Sequence, residues 1–177
     1  KVTAAAVTAD VQQVNQIVIA TSAGTDGLVG FNYNGSAGTF TVDASEAGTS
    51  AGNAAAAINS VAGSTVAHAG QVIADGDLSA AQADVDAALV YTSATSGLVV
   101  GMSVSGTNVA AGTVIEAISS DKKTITLSKD TSSVILTDSG DLSFGGGAGG
   151  VTVFGDADGS NPAFAITSNG STESITP

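Results

Sequence analysis

The segment from Thr113 to Ser128 sets the strongest constraint on the fold. Thr113 to Ser119 (TVIEAIS) and Thr124 to Ser128 (TITLS) flank Ser120-Asp121-Lys122-Lys123. Two runs rich in branched residues around a short polar turn are a hairpin signature. Ile125 and Leu127 fall on one face and Thr124 and Thr126 on the other, so the pair has one face to bury and one to leave wet. A chain that carries this pattern is committed to antiparallel strands.

The pattern recurs along the chain. Val11 to Ala20 reads as an opening strand, Asp26-Gly27 as a hairpin turn, and Leu28 to Tyr33 as the next strand. Asn34-Gly35 is a second hairpin turn before Thr39 to Asp43. Thr65 to Ala69 returns as a strand. Val100, Met102 and Val104 alternate with small residues, and Gly106-Thr107-Asn108 and Ala110-Ala111-Gly112 are turns. Val134 to Thr137 and Leu142 to Phe144 form a last pair around Asp138-Ser139-Gly140.

Two segments switch to helical period. Ala54, Ile58 and Val61 share one face with Ala57 beside them, and Thr49 or Ser50 is placed to cap that helix. Asp75 to Tyr91 carries a stripe of Leu78, Ala81, Val85 and Ala88 or Leu89, with Ser79 and Gln82 at capping-box spacing. The run Gly145 to Gly150 (GGGAGG) is either a flexible linker or close-packed glycine in a strand corner, and the linker is the preferred reading. The expected fold is therefore mainly β, an antiparallel β-sandwich or barrel of short strands with two short helices. It divides into an N-terminal β module with a short helix over 1–74, a helix plus hairpin module over 75–144, and a glycine hinge with C-terminal strands and tail over 145–177.

Composition narrows the chemistry. Aromatics are 4% of the 177 residues and there is no Trp, so the core must draw on Val, Ile, Leu and Ala. Arg is absent, the four cations are Lys1, Lys122, Lys123 and Lys129, and the net charge is −12. Such a surface cannot displace counterions from phosphates, and it is repelled by anionic lipid, so nucleic acid and membranes are not expected partners. No run of apolar residues is long enough for a membrane insertion. With no Cys there are no disulfides, thiolate metal sites or Cys nucleophiles. Joining other chains is then a natural source of stability.

Few groups offer catalysis. His68 is the only histidine, and although Ser64 and Asp75 are near it in sequence, no nucleophile elbow surrounds any serine. Asp84 and Asp86 lie two apart and would not face each other on a helix. No catalytic residue is expected, and the chain is not read as an enzyme. One loop suggests a metal: Asp156, Asp158, Ser160 and Asn161 offer calcium a cluster of oxygens around Gly159. The closing Glu of an EF-hand is missing, since position twelve is Thr167. Asp75-Gly76-Asp77 is a second acidic turn. Asn34-Gly35-Ser36 and Asn169-Gly170-Ser171 match the glycosylation sequon but read as turns.

Gly97 to Gly106 (GLVVGMSVSG), continued by Ala111 to Ser119 (AGTVIEAIS) and Thr124 to Ser128 (TITLS), resembles a β module of the form VGM-x-V-x-G…aGT-x-I…ItLS. That module recurs in structural proteins of tailed bacteriophages, in capsid-associated, tail and fibre proteins, and in some secreted bacterial repeat proteins. The resemblance runs from Gly97 to Ser128 and departs from the pattern at Asn108-Val109-Ala110, where a Gly-Ile-Pro turn is common. A fainter similarity runs from Thr39-Phe40-Thr41-Val42-Asp43 to the Ala54-Ala55-Ala56-Ala57-Ile58-Asn59 helix. The resemblance implies a virion structural protein, a capsid decoration or cement protein first and a tail-tube or fibre subunit next. The other expectations are a subunit of a secreted extracellular filament or pilus and a carbohydrate-binding adhesin module. Partners would be copies of the chain itself and other virion or filament subunits, in a virion or otherwise extracellular setting.

Overall fold

The computed structural model describes residues 14–20, 26–43, 45–74, 88–91, 93–131, 140–155, 164–169 and 174–176. They form a mainly β, antiparallel fold of the sandwich or barrel class. The elements are β1 (Val14–Ala20), β2 (Gly27–Tyr33), β3 (Ser36–Val42), α1 (Ala47–Ala62), β4 (Ala67–Ala69), β5 (Gln71–Ile73), β6 (Ala88–Val90), β7 (Ser103–Ser105), β8 (Thr113–Ile118), β9 (Thr124–Leu127), β10 (Leu142–Phe144), β11 (Gly150–Phe154), β12 (Phe164–Asn169) and β13 (Ser174–Thr176).

Three sheets result, with strand orders β13-β1-β11-β4, β12-β2-β3 and β5-β10-β7-β8-β9-β6. The β2–β3 hairpin closes on Asn34 and Gly35, both at positive φ (51° and 82°). That is the geometry an Asn-Gly turn favours, because its twist matches the strands. The β8–β9 hairpin forms as the alternation predicts: Ile125 and Leu127 are buried, and the register shifts at Glu116 between Ile115 and Ala117.

Two hydrophobic cores follow. The first combines Ile17, Ile19, Val29, Phe31, Phe40 and Val42 with Val151 and Val153, and is covered by Ala51, Ala54, Ala55 and Ile58 of α1. The second combines Leu89, Met102, Val104, Ile115, Ile125, Leu127, Leu142 and Phe144. The first core thus draws on both ends of the described chain and the second on its middle.

The two cores are joined by a bent ribbon. β4 pairs with β11 in one sheet, while β5, one residue further on, pairs with β10 in another. The chain leaves the first sheet at Gly70 and returns to it through Gly145 to Gly149. These crossings touch: a Cβ on Gly70 would lie 2.5 Å from the carbonyl oxygens of Gly145 and Gly147, and one on Gly150 would collide with the Gly145 carbonyl. Gly145, Gly146 and Gly147 all have positive φ (61°, 89° and 75°). The run is the close-packed strand corner, where side chains are excluded by backbone on both sides.

Several local expectations need correction. Ala88 and Leu89 lie on strand β6, not on a helix, because Leu89 fills the second core opposite Ile125; residues 75–87 lie outside the described residues. α1 begins at Ala47 after Glu46, so neither Thr49 nor Ser50 caps it. Ser50 is buried within the first turns, where its hydroxyl accepts from the Asp43 amide at 2.8 Å. Asp26-Gly27 does not close a hairpin, since β1 and β2 belong to different sheets. Val100 is exposed at a turn, and only Met102 and Val104 of that alternation point inward. β10 pairs with β5 and β7, and Val134 to Thr137 lie outside the described residues.

Candidate functional site

The central four-stranded sheet has two different faces. Ile17, Val151 and Ala69 stand in register on the face turned to the first core. The residues between them, Gln16, Thr152 and His68, are also in register and so share the opposite face. That face meets the six-stranded sheet. The Ser103 hydroxyl of β7 donates to Gln16 Oε1 at 2.8 Å, and Gly101 lies under the Phe154 ring, where a Cβ would come within 2.9 Å.

Thr152 is the buried member of this polar row, and Gln16 and His68 are half-buried. Thr152 is 1% exposed, and its hydroxyl has no hydrogen-bond partner among the described residues. A Cβ on Gly145 would lie 3.0 Å from Thr152 Oγ1, while one on Gly146 would collide with Gln16 Nε2. The two side chains therefore project against consecutive glycines of the strand corner. His68 packs edge-on against Phe154, with ring centroids 5.7 Å apart. Burial lowers its pKa below the ordinary 6.5, because the imidazolium would lose solvation there.

The other features are neutral. A cavity of about 420 Å³ opens between β5 and the segment after β6, lined by Gln71, Val72, Ile73, Tyr91, Thr95 and Ser96 among others. Gln71 Nε2 donates to the Ser96 carbonyl at 2.7 Å across its mouth, and the Thr95 hydroxyl is held by the Lys122 carbonyl at 2.9 Å. None of these lining residues is charged.

Sheet edges are treated unequally. Asn59 of α1 mimics a neighbouring strand for β4: its Oδ1 accepts from the Val66 and Ala67 amides at 2.8 and 2.7 Å, and its Nδ2 donates to the Ala67 carbonyl at 2.9 Å. Asn53 donates to the Thr41 carbonyl of β3 at 3.2 Å. By contrast β12 pairs only with β2 among the described residues, and Ala165 and Thr167 on it are exposed. An edge of this kind is a template for another strand.

Of the sequence-predicted site residues, Asp156, Asp158, Ser160 and Asn161 lie outside the described residues, as do Asp75 and Asp77. Asp84 and Asp86 do so as well. Among the described residues no group of three or more His, Asp or Glu side chains is gathered to hold a metal. Sequence reasoning missed Gln16, Thr152 and Asn59. Nothing in one-dimensional spacing relates Gln16 to Thr152; only the β1–β11 register does. Asn59 is visible as a polar residue on a helix next to Ile58, but its role needs the position of β4. Among the described residues no helix is long and apolar enough to cross a membrane. The chain matches no known protein family, no curated protein and no solved structure.

Proposed function

We propose that the chain is a non-catalytic structural subunit of an extracellular assembly, a virion first, where it decorates or cements the shell. A tail-tube, fibre or secreted-filament subunit is the same role in another setting. The observation that carries this reading is the contrast between edges. Helix side chains blunt β3 and β4, while the six-residue β12 is left with its outer side unpaired among the described residues. A strand added there would gain main-chain hydrogen bonds and bury area without any new pocket. The acid-rich, arginine-free surface fits a partner that is protein rather than nucleic acid or lipid.

The test is native mass spectrometry of the purified chain beside Ala165→Lys and Thr167→Lys, which place a charge on the outer edge. The wild type should form oligomers that both variants weaken by about tenfold or more in dissociation constant, a cost of about 1.4 kcal/mol. A wild type that stays monomeric at high concentration and turns over a small molecule would sink the reading.

A further inference from the structure

We propose that Thr152 and Gln16 form an intramolecular ester that ties β11 to β1. The two residues are directly opposed in the antiparallel register. Such pairs hold their Cβ atoms about 4.5–5.5 Å apart, within reach of a bond between a threonine hydroxyl and a glutamine side-chain carbon. Both side chains lie on the face that meets the six-stranded sheet, against Gly145 and Gly146. The nucleophile is buried and has no partner among the described residues, an uncommon state for a hydroxyl that would otherwise be hydrogen-bonded in a core.

The neighbours supply the rest of an acyl transfer. His68 is opposed to Thr152 from the other side, on β4. Burial favours its neutral form, which is the form that accepts a proton. The Ser103 hydroxyl already donates to Gln16 Oε1, the oxygen on which negative charge develops. Thr152 Oγ1 attacks Gln16 Cδ and gives its proton to His68. The tetrahedral oxygen is held by Ser103. The Cδ–Nε2 bond then breaks, and the nitrogen leaves as ammonia, carrying the proton returned by His68. The products are one ester and one ammonia, with no oxidant, reductant or cofactor. Thr152 is 1% exposed, which limits the access of water to the ester oxygen.

This bond would do for a cysteine-free chain what a disulfide does elsewhere. It closes a loop that contains the whole second core and fixes β1, the strand that β13 also pairs with. The inference does not depend on the assembly reading, since it concerns a single chain and is read by mass alone.

The experiment is the intact mass of the purified, folded full chain, followed by fragmentation. The wild type should weigh about 17 Da less than its sequence, the mass of one ammonia, with Gln16 and Thr152 recovered in linked peptides. Thr152→Val and Gln16→Glu should show full mass while keeping the β-rich circular dichroism spectrum. Thr152→Ser, which keeps a hydroxyl, should still lose ammonia. His68→Gln should slow the loss by about 10²-fold in freshly folded protein. Full mass in the folded wild type after long incubation overturns the proposal. So does a loss that maps to Asn34-Gly35, where ring closure of the asparagine also releases ammonia.

Discussion

The first core gathers Phe31, Phe40 and part of Phe164 beneath an alanine-rich helix, whereas the second is packed mainly from aliphatic side chains around Tyr91, Met102 and Phe144. In the first, the Phe31 ring stands 6.1 Å from both Phe40 and Phe164, centroid to centroid. Room for it comes from glycine: a Cβ on Gly38 would collide with the Phe31 ring and lie 2.9 Å from Val61 of α1. Large rings are fitted there by deleting side chains opposite them. In the second core, β8 and β9 meet along Ile115–Leu127 and Ile118–Ile125, and residues of middling size fill the sheet. With five Phe in the chain, aromatic bulk is concentrated on one side, and the other side relies on regular alternation.

The corner between the cores is the most sensitive point of this comparison. Gly150→Val would place a branched side chain where even a Cβ meets the Gly145 carbonyl, and no flexible side chain is available to yield. Loss of the cooperative fold is expected, read as a collapsed near-neutral thermal melt and poor amide dispersion. Gly52 in α1 is the control, since nothing lies within 4 Å of its Cβ position. Gly52→Ala should raise stability by about 0.5–1 kcal/mol through helix propensity. Equal effects of the two substitutions would show that the corner is not packed as described.

Truncation separates the cores at the next level. Phe31→Ala should cost about 3–5 kcal/mol, because it removes a fully buried ring from between two others. Ile125→Val should cost about 0.5–1.5 kcal/mol, the loss of one buried methylene. Both should shift one shared denaturation transition, because the Gly70 and Gly145–Gly150 crossings and the Ser103–Gln16 hydrogen bond couple the cores. Two transitions, each moved by one variant only, would mean that the ribbon bends freely.

The same difference explains how much was legible in the sequence. Period-two alternation and turn dipeptides located β2, β3, β8 and β9, because there the burial pattern is local and the turns carry residues that tolerate positive φ. The helix was legible from Ala54, Ile58 and Val61, though not its length, since the residues before Thr49 have no apolar period to mark them. What stayed hidden was non-local. Ala88 and Leu89 fit a helical stripe as well as a strand, and only pairing with Thr126 and Ile125 decides between them. Gly145 to Gly150 has the composition of a linker, and its packing depends on Gly70, far away in sequence. The Gln16–Thr152–His68 row was hidden for the same reason: three strands distant in sequence create it.

The smallest expected effect lies in the two polar loops that flank the cores. Beside the first, Asp43 accepts the Ser45 hydroxyl at 2.7 Å and the Ser45 amide at 2.9 Å. Beside the second, Asp121 accepts the Ser119 hydroxyl at 2.5 Å and the Lys123 amide at 3.1 Å, while Ser119 Oγ takes the Thr124 amide at 2.8 Å. These donors, the serine hydroxyl first in each case, hold both carboxyls below the ordinary 3.8. A carboxyl with a lowered folded-state pKa binds its proton less readily when folded. Its contribution is therefore complete above the unfolded value and fades as pH falls through the folded one. Both groups are on the surface, so each effect is slight. Asp121 should matter more than Asp43, because its loop also holds Lys122 at positive φ (58°) to close the β8–β9 hairpin. Asp121→Asn should flatten the fall of the denaturation midpoint between neutral pH and about pH 2 more than Asp43→Asn does. Carboxyl titration by nuclear magnetic resonance checks the cause: an Asp121 that titrates at or above 3.8 removes the hairpin loop from the account of acid stability.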